Sequence, residues 1–395
     1  MKFRLAAFLD VFMGKPLLSF VSVLPPRPKR ISKGIAFKRV LVMKFWGMGS
    51  ILEATPFLRT VRQEYKNVPI DILTFSGNKQ MVENMGLFDK VHVMDFKKGL
   101  HRLFLQIAGF IFHYRGKYAL IVDLEFFAFF SALMTKMLAP AYAIGFKSFF
   151  IRRNRCYSRT VVFDHSSHVR TIFLKFLDGL YIKRPVDLSL SYPIIHAEKK
   201  TTALSKFPEL NDDNHIRIAV NINSSELCLN RRWPENNFRS LIKHIQSDFS
   251  DVRIYLVGDS KEQAVVSSFF ESLANKSGIY ITAGHLDIIE FSFVLTKMSC
   301  LITSDSGPLH IAEALGVPVV CFYGPETPNL YGPLSGASMV FYKNMFCSPC
   351  LNTYDQKKSR CMDNQCLKAI SPEEVYGQMK EKFFKKAFET SDDAQ

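Results

Sequence analysis

The sequence predicts an α/β protein made of two Rossmann-like, doubly wound domains, on three observations. The chain has 395 residues, more than the roughly 250–300 that a single hydrophobic core organises. Short apolar runs of strand length alternate with stretches of helix length, the pattern of parallel sheets covered by helices. One segment, Ser304 to Pro325, reads in order as strand end, tight turn, helix, strand and second tight turn. Hydrophobic residues make up 48% of the chain, which excludes general disorder, and no fixed-period repeat or low-complexity tract appears.

Taken in order, the first series of buried strands is Val40 to Lys44, Pro69 to Thr74, Lys90 to Met94, Ala119 to Val122 and Ala143 to Phe146, with helices between them as at Ile51 to Glu64 and Phe126 to Leu138. Pro185, Pro193 and Pro208 among many polar residues mark 185–215 as the linker. A second series follows at Ile216 to Ile222, Arg253 to Val257, Gly278 to Thr282, Cys300 to Thr303 and Val317 to Phe322. Ser371 as N-cap, Pro372 at the first helical position and Glu373 and Glu374 in the first turn predict a closing helix to Phe388. That helix is expected to pack back across the interdomain cleft, ahead of a frayed tail.

The turn after Thr303 predicts a phosphate cradle. Ser304, Asp305, Ser306 and Gly307 are small capping residues plus a glycine that permits close backbone approach, and Pro308 costs nothing in a first helical turn. Unpaired amides at that helix start, with the positive end of its dipole, suit a diphosphate. The second turn, Gly324 to Pro328, is expected to wall the same crevice. A purely structural βαβ unit is the competing reading.

Charge is divided unevenly. Residues 1–200 carry 32 Lys+Arg against 13 Asp+Glu, and the remainder 19 against 23, giving +19 and −4 of the total +15. The basic half is expected to face an anion. No zinc-finger spacing, RNA-recognition signature or basic leucine-zipper pattern points to nucleic acid. An anionic membrane surface or phosphorylated lipid fits the interleaved apolar residues better. In the first 39 residues Lys2, Arg4, Lys15, Arg27, Lys29, Arg30, Lys33, Lys38 and Arg39 stand against Asp10 alone. The apolar runs among them fall short of the roughly 20 residues that span a bilayer. Lys15 and Pro16 interrupt what a signal peptide would keep apolar. An interfacial anchor and an arm packed on the first domain both remain open.

At Asp305-Ser306-Gly307, His310, Ala314-Leu315-Gly316-Val317-Pro318 and Gly324-Pro325-Glu326 the chain resembles glycosyltransferase family 9, the ADP-heptose:lipopolysaccharide heptosyltransferases. Val40 to Pro56 resembles the family's first strand and glycine loop, Arg232-Trp233-Pro234 with Phe238 its basic-Trp-Pro motif, and Tyr255 to Glu262 its strand, glycine and ribose-contacting acid. The resemblance spans roughly residues 38 to 376. It implies a GT-B architecture, two Rossmann-like domains facing across a cleft: an arm at 1–38, an acceptor domain at 39–195, a donor domain at 196–370 and a C-terminal segment at 371–395. It further implies a bacterial, cytoplasmic enzyme peripheral on the inner membrane, inverting transfer of heptose from ADP-heptose to a lipopolysaccharide core or related lipid-linked glycan, and no catalytic metal. Transfer of another sugar, a protein acceptor, or a non-catalytic nucleotide-binding homologue are the alternatives. The expected donor-binding set is Asp305, Ser306, Gly307, Pro308, Leu309, His310, Arg232, Glu262, Gly258 and Gly324.

The base departs from the family pattern. Where the family has Gly-Asp in its first loop, Gly49 is followed by Ser50, and a serine hydroxyl needs another group to activate it. Asp123, at a strand end, is the first candidate to replace it; Glu53, one helical turn past Ser50, is the second, and Glu125 lies beside them. Downstream, Phe126, Phe127, Phe129, Phe130, Tyr142, Phe146, Phe149 and Phe150 precede Arg152, Arg153 and Arg155, where cations beside an apolar surface suit a phosphorylated lipid acceptor, although most of these rings read as core. His165 and His168 fall in the loop that follows. Cys156, Cys228, Cys300 and Cys321 read as reduced residues, whereas Cys347, Cys350, Cys361 and Cys366 form two close pairs suited to structural zinc or iron, with disulfides and free thiols as alternatives.

Overall fold

The computed structural model describes residues 10, 14–24, 29–33, 36–95, 99–126, 128–213, 215–224, 228–351, 359 and 361–384. Lys2, Arg4, Arg27, Phe127, most of the first apolar run of the arm and the expected frayed tail lie outside them. The chain divides into two compact units, with the chain boundary between Ile194 and Ile195.

The first unit holds a parallel sheet in the order β3-β2-β1-β4-β5-β6, from β1 (Val40–Met43), β2 (Ile70–Phe75), β3 (Lys90–Met94), β4 (Leu120–Asp123), β5 (Tyr142–Phe146) and β6 (Arg159–Val161). The central strands are apolar on both faces because helices cover both; every residue of β1, β2 and β4 is buried. On one face Leu41, Met43, Leu73 and Ile121 meet the helices Leu100–Tyr114 and Phe129–Leu138 through Leu103, Ile111, Met134 and Leu138. The helix Lys15–Val21 extends this layer, its Leu18 packed with Ala132, Leu133 and Ala143. Asp10, the one acid of the arm, accepts hydrogen bonds from the N–H groups of Phe129 (3.0 Å) and Phe130 (2.6 Å), capping the neighbouring helix. The described part of the arm is therefore docked on its own domain.

The second unit repeats the plan as β12-β11-β10-β7-β8-β9, from β7 (Arg217–Asn221), β8 (Arg253–Leu256), β9 (Ile279–Ile281), β10 (Cys300–Ser304), β11 (Val319–Tyr323) and β12 (Met339–Tyr342). Edge strands β6 and β12 escaped the sequence reading, since runs of only three or four residues carry little strand signal. Two other expectations are corrected. The supposed linker contains the helix Ala197–Lys206, held in the second unit by Lys206 on Glu290 (2.7 Å) and by Lys199 on Asp287. The C-terminal helix, Pro372–Met379, belongs to the second unit's own core: Val375 and Met379 are fully buried with Phe238, Leu241 and Ile245 of the helix Glu235–Asp248. Its Ser371 cap is as expected, accepting from the Glu374 N–H at 3.1 Å.

Candidate active site

In each sheet the strand order reverses at one point, between β1 and β4 in the first and between β7 and β10 in the second. Ligands of open parallel sheets bind outside the carboxyl ends of the strands at such points.

In the second unit that point is built from the ends of β7 and β10. Asn221 donates to Thr303 Oγ1 and Ser306 Oγ, both at 3.1 Å, fastening the two strand ends together. Ser304 Oγ accepts from the Trp233 backbone N–H at 3.0 Å, and the Trp233 indole donates to the Ile370 carbonyl at 3.0 Å while stacking on Phe322. The Trp-Pro motif thus works as a buried peg. It fixes the short turn Leu229–Arg231 over the β10 loop, where Arg231 donates to Asp305 Oδ2 at 2.7 Å with both residues buried. Burial works against the Arg231 charge, but Asp305 beside it outweighs that and leaves its pKa raised.

Three features set this edge apart. The helix Gly307–Ala314 starts without any side-chain cap, because the Ser306 hydroxyl is engaged with Thr303 and Asn221. A Cβ built on Gly307 would meet nothing within 4 Å, so its start faces open space. Finally, among the described residues, Asn223, 1% exposed, has neither side-chain amide atom hydrogen-bonded, and the Nε atoms of Arg231 and Arg232 are likewise buried and unpaired. A buried polar group left so costs about 1–3 kcal/mol, which an incoming anion with hydroxyl donors would offset.

Other expected donor residues fall at or beside this edge. Pro308 and Leu309 form the first turn, Leu309 buried, and His310, also buried, lies one turn in. Glu262 Oε2 accepts from the Asp259 N–H at 3.0 Å and packs against Gly258, ordering the turn after β8. Gly324 serves packing: a Cβ there would lie 2.6 Å from Cys366 Sγ. Asn221, Asn223 and Thr303 were missed in the sequence, although a strand ending in Asn-Ile-Asn was there to notice.

The corresponding edge of the first unit is closed. Asp123 is fully buried; its Oδ1 accepts from the Glu125 N–H (3.0 Å), its Oδ2 from the Tyr157 hydroxyl (2.6 Å), and Arg153 lies 3.6 Å away. Burial raises its pKa against the pull of Arg153 and Tyr157. Arg153, expected to face an acceptor, is fully buried and donates to the carbonyls of Ala128, Phe146 and Glu125, whereas Arg152 and Arg155 are exposed. Glu125 accepts from Lys44 Nζ (3.1 Å) and the N–H groups of Phe45 and Trp46, pinning the glycine loop. Gly47 there has φ 81° and Ser50 Oγ donates back to its carbonyl at 2.9 Å. Glu53 is buried and paired with Arg170 Nε at 2.7 Å. His168 caps the helix Val169–Leu180, and His165 is an exposed ring against Phe163.

The four clustered cysteines lie near one another: burial first, and then the charges of Cys350, Cys361 and Cys347, push the Cys366 thiol up to about 11. None is in a disulfide, Cys347 and Cys350 being exposed and Cys366 buried; among the described residues no three of these sulfurs lie within 4.8 Å of one another. Cys361 Sγ points at the Asp363 carbonyl and Cys350 Sγ at Ser359. Much of the connecting loop lies outside the described residues.

Two parallel six-stranded sheets of this order are those of the GT-B architecture. The chain belongs to glycosyltransferase family 9 (heptosyltransferase), whose model matches residues 115–360. Lipooligosaccharide heptosyltransferase 2 of Haemophilus ducreyi is 24% identical over 314 residues, 76% of this chain and 88% of that protein. Among solved structures, a family 9 glycosyltransferase from Veillonella parvula superimposes with a TM-score of 0.70 at 22% identity, covering 88% of this chain and 97% of that one. The Escherichia coli ADP-heptose LPS heptosyltransferase II does so with 0.68 at 17% identity, covering 89% and 99%.

Proposed function

We propose that this protein transfers heptose from ADP-heptose, with inversion, onto a lipopolysaccharide core or related lipid-linked glycan, at the cytoplasmic face of the inner membrane. The second unit holds the donor and the first supplies the base. The observation that carries this reading is the prepared edge of β7 and β10, where an uncapped helix start, a buried Arg231 and the unpaired Asn223 amide converge. The amides of the first turn and the guanidinium groups of Arg231 and Arg232 would bind the diphosphate and stabilise its charge as it leaves. Asp305 orients Arg231 for that task.

For the base we assign Glu53 ahead of Asp123. Asp123 has both oxygens bound by fold partners. Glu53, paired with Arg170, sits on the helix Met48–Glu53 that the glycine loop opens, one helical turn past Ser50 where the family pattern has its base. The proposed transfer calls for no metal.

Titration with ADP, followed by turnover assays with ADP-heptose on heptose-deficient core glycolipid, tests the reading. ADP binding with transfer is expected. Transfer from a different nucleotide sugar alone would replace the donor, transfer to protein would replace the acceptor, and ADP binding without any transfer would leave a binding protein.

A further inference from the structure

One face of the first unit is built for contact with something apolar and anionic. The helix Leu100–Tyr114 buries Leu103 and Ile111, yet leaves Phe104 58%, Leu105 60% and Phe112 91% exposed on its outer side. The helix Lys15–Val21 in the same layer buries Leu18 and exposes Leu17 and Phe20. Arg152 donates to the Ser19 carbonyl at 3.1 Å and so joins that helix to the turn bearing the exposed Phe149 and Ile151. Exposed large apolar side chains gathered on one layer mark an interaction surface.

Charge names the partner. Residues 11–52, 96–122 and 126–163, which supply this layer apart from the helix-capping Asp10, contain no acidic residue, and Lys15, Arg102, Arg115, Lys117, Arg152 and Arg155 are exposed around the apolar groups. The helices on the opposite face, Thr55–Glu64 and Val169–Leu180, carry acids and expose no large apolar side chain. Among the described residues no helix is long and apolar enough to cross a membrane.

We infer that this layer is a docking face for an anionic lipid bilayer: the aromatic and aliphatic side chains enter the headgroup boundary and the surrounding cations meet lipid phosphates. The inference rests on the lipid-linked acceptor reading for its purpose and gives that reading a surface.

The test uses the full chain in sedimentation with vesicles of phosphatidylcholine alone or mixed with phosphatidylglycerol. The protein should pellet with the mixed vesicles and release as salt rises. Phe112→Glu and Phe20→Glu, both on exposed positions, should each lower partitioning by about tenfold while ADP affinity and melting temperature stay unchanged. Unaltered partitioning in both variants, equal binding to neutral vesicles, or a dimer that either variant dissociates in light scattering would overturn the inference. Transfer to a lipid-free acceptor fragment separates the two readings: retained transfer with no vesicle binding removes only the docking face, and absent transfer with vesicle binding removes only the enzymatic proposal.

Discussion

At the switch point of the first sheet, Asp123, Glu125 and Glu53 are each bound to partners within the fold, and the glycine loop is pinned by the second of them. At the switch point of the second sheet, Asn223 and the Nε atoms of Arg231 and Arg232 are buried without partners among the described residues, beside a helix start with no side-chain cap. The topology is the same in both, so topology does not explain the difference. Satisfied polar groups stiffen a scaffold, whereas unsatisfied buried ones represent stability forgone until a ligand arrives. The proposed donor diphosphate goes with the second edge, and the first is left to be tested for the base.

The largest effect is expected from Asp305→Ala. Removing one partner of a buried pair leaves Arg231 uncompensated, a loss of about 3–5 kcal/mol, so the melting temperature should fall sharply and kcat/KM by at least about a hundredfold. A mild variant would mean that the edge is not organised by this pair. Next, Glu53→Gln should lower kcat by about 10²–10⁴ with ADP affinity unchanged if it is the base, whereas Asp123→Asn should reduce stability and leave kcat of the folded enzyme nearly intact. The reverse outcome would transfer the role to Asp123.

A smaller effect with a distinctive sign belongs to Asn223→Ala. ADP should bind about five- to tenfold more weakly, while the ligand-free protein melts no lower than wild type, because an unpaired buried amide has been removed. Lower stability would show that Asn223 is a structural residue after all.

The smallest concerns pH and separates two buried carboxylates of the first sheet. The Asp71 pKa is lowered: burial opposes this, but hydrogen bonds from His92, Tyr118 and Arg39 prevail. Its contribution is present above the unfolded value near 3.8 and is lost as pH falls through the folded one, so the advantage of wild type over Asp71→Asn in urea titrations should shrink in acid. For Asp123 the pKa is raised, chiefly by burial, and the sign inverts: its contribution is present below 3.8 and is lost as pH rises through the folded value. Parallel pH profiles for the two variants would refute this distinction.

Much of this was legible in the residues. Uniformly apolar runs such as Val40 to Met43 and Cys300 to Thr303 announced buried parallel strands, and Ser371-Pro372-Glu373-Glu374 announced a helix start, because these signals are local. The positions of Asp305 and Arg231 could be suspected, but their pairing depends on Trp233 pegging a turn to residues more than 70 positions away, at Ser304 and Ile370. Asp123 illustrates the opposite limit. A carboxylate at a strand end looks catalytic until Tyr157 and Arg153, set there by later elements, enclose it.

The most direct test is a crystal structure of the protein with ADP bound. The account predicts diphosphate oxygens within hydrogen-bonding distance of the Gly307 backbone amide and the Asn223 side chain, with Arg231 still on Asp305. ADP seated away from residues 304–310, or a density for that turn filled by the protein's own side chains, would contradict it.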